Sequence, residues 1–211
     1  GKHNDQIVES DDNFSLQLGD NEVVQGLDMA IALMDIGEVS EITVASRFAY
    51  GELGLPAKNI PSNATIVYTV ELLSADEEHD LESKSYESRK DIGNKKRTRG
   101  NFFFERQDFN LAIQLYRRAL EYLDETEGGI TKPTVSGELE PTNAQLQDLL
   151  EDRIKVYNNL AQAQMKIQAF DAALKSIETV LTCQPNNVKA LFRKAKILEN
   201  KAQVENAITL M

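Results

Sequence analysis

Five side chains at regular spacing could grip the carboxylates of a peptide. Arg97 and Asn101 stand at i and i+4, Lys189 and Arg193 do the same, and Asn159 lies between the two pairs. Residues four apart share one face of a helix. Three cations and two amides supply charge-assisted donors for two carboxylates at once. That pair of acids is found at a peptide's free C-terminus when its last side chain is acidic. Two such matches arise by chance on a charged helix; all five in one register are hard to get that way.

The register comes from a repeat. Tyr157-x-x-Leu160-Ala161 is followed by Ala173 and then Pro185; Leu191-x-x-Lys194-Ala195 is followed by Ala207. Ala161 to Ala195 and Ala173 to Ala207 are each one step of about 34 residues, which marks a stacked helix-turn-helix array. The alanines let two antiparallel helices approach closely, and Pro185 cannot continue the helix before it. Carried backwards, Gly100 takes the Ala161 position, Ala112 that of Ala173, and Tyr116 and Ala119 fill the next slots. The units expected are 93–126, 154–187 and 188–211, the last stopping inside its second helix. Residues 127–142, rich in Gly, Pro, Thr and Glu, read as an inserted loop. Such a loop leaves the array intact, because closure cost grows slowly with length. First helices of the array line a concave groove, and the five residues fall on them.

These positions resemble the tetratricopeptide repeat (TPR). The five polar residues resemble the carboxylate clamp with which TPR domains hold the Glu-Glu-Val-Asp tail of Hsp90-type chaperones. Arg97 stands where that clamp uses Lys, keeping the charge but changing its geometry.

Composition sets the outer bounds. The chain has 211 residues, 41% hydrophobic, enough for one or two domains. Its single cysteine, Cys183, excludes a disulfide framework and fits a reducing compartment. With His3 and His79 isolated there is no metal-ligand spacing, and the scattered acids lack the spacing of a calcium loop. No metal and no cofactor are expected. The net charge of −11 splits unevenly, −13 over residues 1–81 and +2 over 82–211. Two domains with different partners follow from that split. The run Lys95-Lys96-Arg97-Thr98-Arg99 could be a nuclear signal or a nucleic-acid patch, but the overall charge argues against nucleic acid, and a solvated helix face is the plainer expectation. No apolar run is long enough to span a bilayer.

The first half reads as mixed. Phe14–Leu18 alternates apolar and polar, a half-buried strand. Gly19-Asp20-Asn21 turns; Val23–Met34 has short helical spacing; Ser40–Val44 is a strand. Ser46–Ile60 is a long loop broken at Gly51, Gly54 and Pro56, and Ala64–Leu73 is a β-branched strand. The acidic stretch from Ser74 to Glu82 is a solvated linker, and a helix is expected over Leu81–Arg106. The boundaries expected are a first domain over 1–75, linker and helix start over 76–92, and a helical domain over 93–211.

Leu18-Gly19, Glu22-Val23-Val24-Gln25-Gly26-Leu27, Ala49-Tyr50-Gly51, Gly54, Ile60-Pro61, Ala64-Thr65 and Val70-Glu71-Leu72-Leu73 keep order and spacing. They resemble the tacrolimus-binding immunophilins (FKBP family), which are peptidyl-prolyl isomerases. The fold implied is an α+β FKBP-like half-barrel followed by an all-α TPR helical array, an arrangement of that family's large members.

The resemblance implies an apolar cup that grips a proline ring and twists the preceding peptide bond. The barrier is about 18–20 kcal/mol, because amide resonance must be broken. A dry pocket favours the less polar twisted amide over the planar one. By position the walls are Phe14, Val23, Val24, Leu27, Tyr50, Ile60 and Tyr68, and Val8 and Glu9 match the family's Phe-Asp pair. The Tyr50 hydroxyl and the Val24 backbone amide would meet a ligand's carbonyls. Leu27 replaces the floor Trp of active members, Val8 replaces Phe and Glu9 replaces Asp. The Leu floor resembles the divergent, membrane-anchored branch of the family. That branch implies first strands before Gly1 and an anchor beyond Met211, the only route to a membrane.

Two functions are implied. One is a co-chaperone that docks the acidic C-terminal tail of Hsp90-type chaperones. Its isomerase is then weak in the intact protein and slight in these 211 residues, with proline-containing clients and weak macrolide binding at most. The alternative is an active isomerase whose TPR half serves only as a targeting module. The place implied is the cytoplasm, and for the full-length protein the cytosolic face of an organelle membrane, mitochondrion or endoplasmic reticulum.

Overall fold

The computed structural model describes residues 1–77, 81, 84–123 and 141–209, with side chains described as far as residue 202. The chain divides into two compact units, Gly1–Glu78 and His79–Met211. Residues 78–80 and 82 of the acidic stretch 74–82, and 127–140 of the insertion 127–142, lie outside the described residues.

The first unit is an antiparallel sheet of order β2-β1-β4-β3 with one short helix. β3 (Val39–Val44) pairs along its whole length with β4 (Ile66–Glu71), from Val39 opposite Glu71 to Val44 opposite Ile66. The β-branched run in β4 suits this pleated surface. Its alternation buries Ile66 and Tyr68 and leaves Thr69 exposed. Helix α1 (Gln25–Ile31) is shorter than the expected Val23–Met34 and buries Leu27 and Ile31, four residues apart on one face.

Two features depart from expectation. β1 (Lys2–His3) and β2 (Gln6–Ile7) form a small hairpin. Its turn is Asn4-Asp5, both at positive φ, 47° and 61°. Asn and Asp tolerate that conformation, which a two-residue hairpin turn requires. β1 also pairs with β4 at Lys2 opposite Val67. The strand expected at Phe14–Leu18 does not form, and Phe14 is 51% exposed. The stretch pairs with none of the described strands, and an alternating stretch without a ladder partner gains nothing from being extended.

The long loop 46–60 winds through three 3₁₀ turns, Ser46–Phe48, Gly51–Leu53 and Pro56–Lys58. Gly54 makes its return possible. It has φ +58°, and a Cβ there would stand 2.4 Å from the Ile60 carbonyl oxygen. The close approach lets Leu55 and Ile60 exchange two backbone hydrogen bonds, of 2.8 and 3.1 Å, which seats Ile60 in the core.

The second unit is an array of helices: α2 (Tyr86–Glu105), α3 (Phe109–Leu123), α4 (Asn143–Lys166), α5 (Phe170–Cys183) and α6 (Val188–Thr209). α2 begins at Tyr86 rather than Leu81, because the Ser85 hydroxyl caps it by accepting from the Ser88 N–H. α4 starts well before residue 154. Thr142 and Gln145 form a reciprocal capping box there.

The cores of the array follow the repeat. Ala112, Tyr116, Ala119 and Leu123 of α3 pack with Leu149, Val156 and Leu160 of α4. Ala161, Ala173, Ile177, Ala190 and Ile197 form the next cluster. α2 passes close to α3 at Gly100, where a Cβ would stand 2.6 Å from the Tyr116 ring. In the following repeat the same two positions hold Ala161 and Ile177: a larger residue on one helix goes with a smaller one on the other.

The α2–α3 and α4–α5 turns each use a residue at positive φ, Gln107 (65°) and Gln168 (60°). The matching position in the third unit is Ala202, and there α6 continues unbroken to Thr209. Alanine is the best helix former and resists the left-handed conformation. The expected second helix of that unit, carrying Ala207, is therefore not separate from the first.

The basic run on α2 is not the solvated face that its composition suggests. Lys96 is 1% exposed, with its Nζ 5.4 Å from the Tyr122 ring centre. The Arg99 guanidinium stacks 4.5 Å from Phe102 and 4.8 Å from Phe103. These cations are spent on aromatic rings.

Candidate functional sites

The five residues of the groove fall on α2 (Arg97, Asn101), α4 (Asn159) and α6 (Lys189, Arg193). α2 packs on α4 and α4 on α6, so the three helices stand in order. Asn159 Nδ2 donates to Asn101 Oδ1 at 2.9 Å, and the buried Tyr116 hydroxyl donates to the same oxygen at 2.8 Å. These three residues, with Phe104, Glu105 and Gln162, line a cleft of about 230 Å³.

Arg193 is half-buried and reaches across to α4. Its two terminal nitrogens donate to Asn158 Oδ1 and Gln162 Oε1, both at 2.9 Å. Neither acceptor is charged, and burial pulls the guanidinium pKa down from its ordinary value. Arginine still remains protonated, so its positive charge is oriented but not neutralised. Arg97 Nε donates to Asn94 Oδ1 at 3.1 Å, again a neutral oxygen. Lys189 is exposed and has no partner among the described residues.

Other cations of these helices are handled differently. Lys90 pairs with Asp148 and, at 3.6 Å, with Asp152; Lys155 pairs with Asp152 at 3.0 Å. Lys194 meets Glu178 and Lys201 meets Asp171. Burial pushes the Asp152 carboxyl up, but hydrogen bonds from Asn94 and Lys155 outweigh it and leave the pKa below the ordinary carboxylate range. The groove thus holds a neutralised patch around Lys90, two turns before Arg97, and an uncompensated one around Arg193. Sequence reasoning missed Asn158 and Gln162, which orient Arg193. Their i, i+4 spacing beside Asn159 is the signal that could have found them.

In the first unit Glu9 is the centre. Its Oε1 accepts from the Tyr50 hydroxyl at 2.7 Å and from Lys58 Nζ at 2.6 Å; its Oε2 accepts from the Tyr68 hydroxyl at 2.5 Å. Burial raises its pKa, but bonds from Lys58, Tyr68 and Tyr50 outweigh this and hold it below the usual carboxylate range. Tyr68 moves upward, through burial first and Glu9 second.

Val24, Leu27, Tyr50, Ile60 and Tyr68 are all buried. Val8 and Val23 are half-buried, with the Val8 N–H donating to the Gly1 carbonyl at 3.0 Å. Phe14 stands apart, half exposed. The structure brings Glu9, Tyr50 and Tyr68 together and adds Lys58, which the sequence did not single out.

Comparison with known families matches residues 1–73 to the FKBP-type peptidyl-prolyl cis-trans isomerases and residues 154–187 to the tetratricopeptide repeat. Residues 1–73 are thus similar to an FKBP-type domain and residues 154–187 to one tetratricopeptide repeat. FK506-binding protein 59 of Drosophila melanogaster is 26% identical over 97% of this chain and 42% of its own length. Peptidyl-prolyl cis-trans isomerase FKBP4 of Mus musculus is 27% identical over 93% of this chain and 41% of its own length. The chain therefore spans about two fifths of these curated relatives. Among solved structures, a multi-domain immunophilin from Arabidopsis thaliana is 26% identical over 88% of this chain and 69% of that one, with a TM-score of 0.49.

Leu27, at the position where the resemblance implies the floor of the cup, is buried and offers neither the area nor the N–H of an indole. In the TPR unit the matched residues 154–187 take in α5 and the part of α4 that carries Asn158, Asn159 and Gln162.

Proposed function

We propose that this protein is an immunophilin co-chaperone. Its TPR groove takes the acidic C-terminal tail of an Hsp90-type chaperone, and its FKBP-type domain supplies prolyl cis-trans isomerase activity that is weak. One observation carries the reading. Arg97, Lys189 and Arg193 face no carboxylate among the described residues, while Lys90, Lys95, Lys155, Lys194 and Lys201 of the same helices do. Arg97 and Arg193, oriented by neutral amides, are suited to incoming carboxylates, because little has to be broken before they bind, and Lys189 adds an exposed charge beside them. Asn101 and Asn159 add amide donors beside them. The isomerase is weak on this reading because Leu27 leaves the cup without its aromatic floor and the Tyr50 hydroxyl is already engaged. The same reading places the protein in the cytoplasm, where the exposed thiol of Cys183 suits reducing conditions.

The test is calorimetric titration of the 211-residue chain with a peptide ending in Glu-Glu-Val-Asp. Micromolar binding is expected (about −8 kcal/mol), weakened by salt as charged contacts are screened. Arg193→Ala should reduce it at least tenfold, a loss of about 1.4 kcal/mol. A folded chain that fails to bind the peptide sinks the clamp.

A further inference from the structure

The cup holds a contact that a ligand has to break. The hydroxyl expected to meet a ligand's carbonyl is that of Tyr50, and it is spent on Glu9 at 2.7 Å. The acceptor is a carboxylate, 18% exposed, and a hydrogen bond to an ion is about twice as strong as one between neutral groups. A ligand's carbonyl is neutral and is the weaker competitor. Glu9 is in turn held from two other places, by Tyr68 of β4 at 2.5 Å and by Lys58 of the 46–60 loop at 2.6 Å. A single carboxylate therefore ties the loop that carries Tyr50 to the sheet.

We propose that Glu9 is a latch on the cup: it keeps the Tyr50 hydroxyl turned inward, and a proline-containing ligand gains that donor only by taking it from Glu9. The inference rests on reading the first unit as a prolyl cup and adds an affinity-determining residue to it. Lys58 and Tyr68 act through Glu9, as positioning residues that keep its carboxylate in place.

Glu9→Gln removes the charge and keeps the shape. The variant and the parent chain are compared by thermal unfolding and by titration with two probes, an Ala-Leu-Pro-Phe tetrapeptide and tacrolimus. The latch predicts opposite signs: a lower Tm, because three hydrogen bonds weaken, and a probe affinity raised about tenfold, the gap between an ionic and a neutral bond. Adding Tyr50→Phe should cancel the gain. A purely structural Glu9 would lower both Tm and affinity, so unchanged or reduced affinity in a folded Glu9→Gln protein overturns the latch. A gain that survives Tyr50→Phe overturns it as well. If Glu9→Gln does not fold, Glu9→Asp is read instead; it keeps the charge but draws the carboxylate back by one methylene from the Tyr50 hydroxyl, and should raise affinity several-fold, and no gain overturns the proposal. The two readings fail differently. Probe binding that Glu9→Gln leaves unchanged sinks the latch alone, whereas no binding by the parent chain or any variant sinks the cup and the latch together.

Discussion

Asn101 and Asn159, 58 residues apart in sequence, are joined by one hydrogen bond of 2.9 Å across the groove. The same Asn101 oxygen accepts from the Tyr116 hydroxyl at 2.8 Å. One amide thus ties the first and second helices of one repeat to the first helix of the next. Asn101 also lines the cleft of the groove. The groove and the packing of the array share this residue.

Asn101→Ala should therefore cost both stability and binding. It strands the hydroxyl of Tyr116, which is 1% exposed, and a buried donor left without its acceptor costs about 1–3 kcal/mol. Denaturant unfolding of the TPR unit, followed by its circular dichroism, reads the loss. Binding of the acidic peptide should weaken in the folded variant at the same time. Loss of stability without loss of binding would confine Asn101 to packing.

Gly100 and Tyr116 should behave as a coupled pair. Gly100→Ala puts a Cβ into the Tyr116 ring; overpacking of this kind costs about 1–3 kcal/mol, offset in part by about 1 kcal/mol of helix propensity. Tyr116→Ile alone leaves a cavity. The double variant rebuilds the Ala161 and Ile177 combination of the next repeat. It should be destabilised by less than the sum of the single changes, a coupling read from a double-mutant cycle. Strict additivity would mean that the two helices have not adjusted to one another at this crossing.

Acid should weaken the first unit through Glu9. Its pKa in the folded state is lowered, net of burial, by the bonds from Lys58, Tyr68 and Tyr50. A carboxyl with a depressed folded pKa contributes stability that is present above its unfolded value of about 4.3 and is lost as pH falls through the folded value. Tm of the first unit should fall on acidification below about pH 4.3, where the unfolded carboxyl begins to protonate. The fall should be shallower in Glu9→Gln. At the alkaline end the sign reverses. Burial raises Tyr116 to about 12, so its contribution is complete below about pH 10 and is lost as pH rises toward the folded value, as a pH series of unfolding curves on Tyr116→Phe would show.

The sequence by itself determined what is local or periodic. The 34-residue step places Ala161, Ala173, Ala195 and the groove residues on successive helices, because helix period and repeat length are carried by neighbours along the chain. The order of short motifs from Leu18 to Leu73 marked the FKBP-type domain for the same reason. The tertiary structure decided what depends on partners far apart in sequence. Phe14–Leu18 has the alternation of a strand and pairs with none of the described strands. Lys96 and Arg99 read as a solvated charge run and instead lie on aromatic rings. Arg193 is oriented by Asn158 and Gln162, 35 and 31 residues before it. Glu9 gathers Tyr50, Lys58 and Tyr68 from 41, 49 and 59 residues away. Periodicity tells which face a side chain occupies. Whether its charge is neutralised, stacked or left for a ligand is settled only when the other elements have packed against that face, because ion pairs and hydrogen bonds act over a few ångströms of space and are blind to separation along the chain.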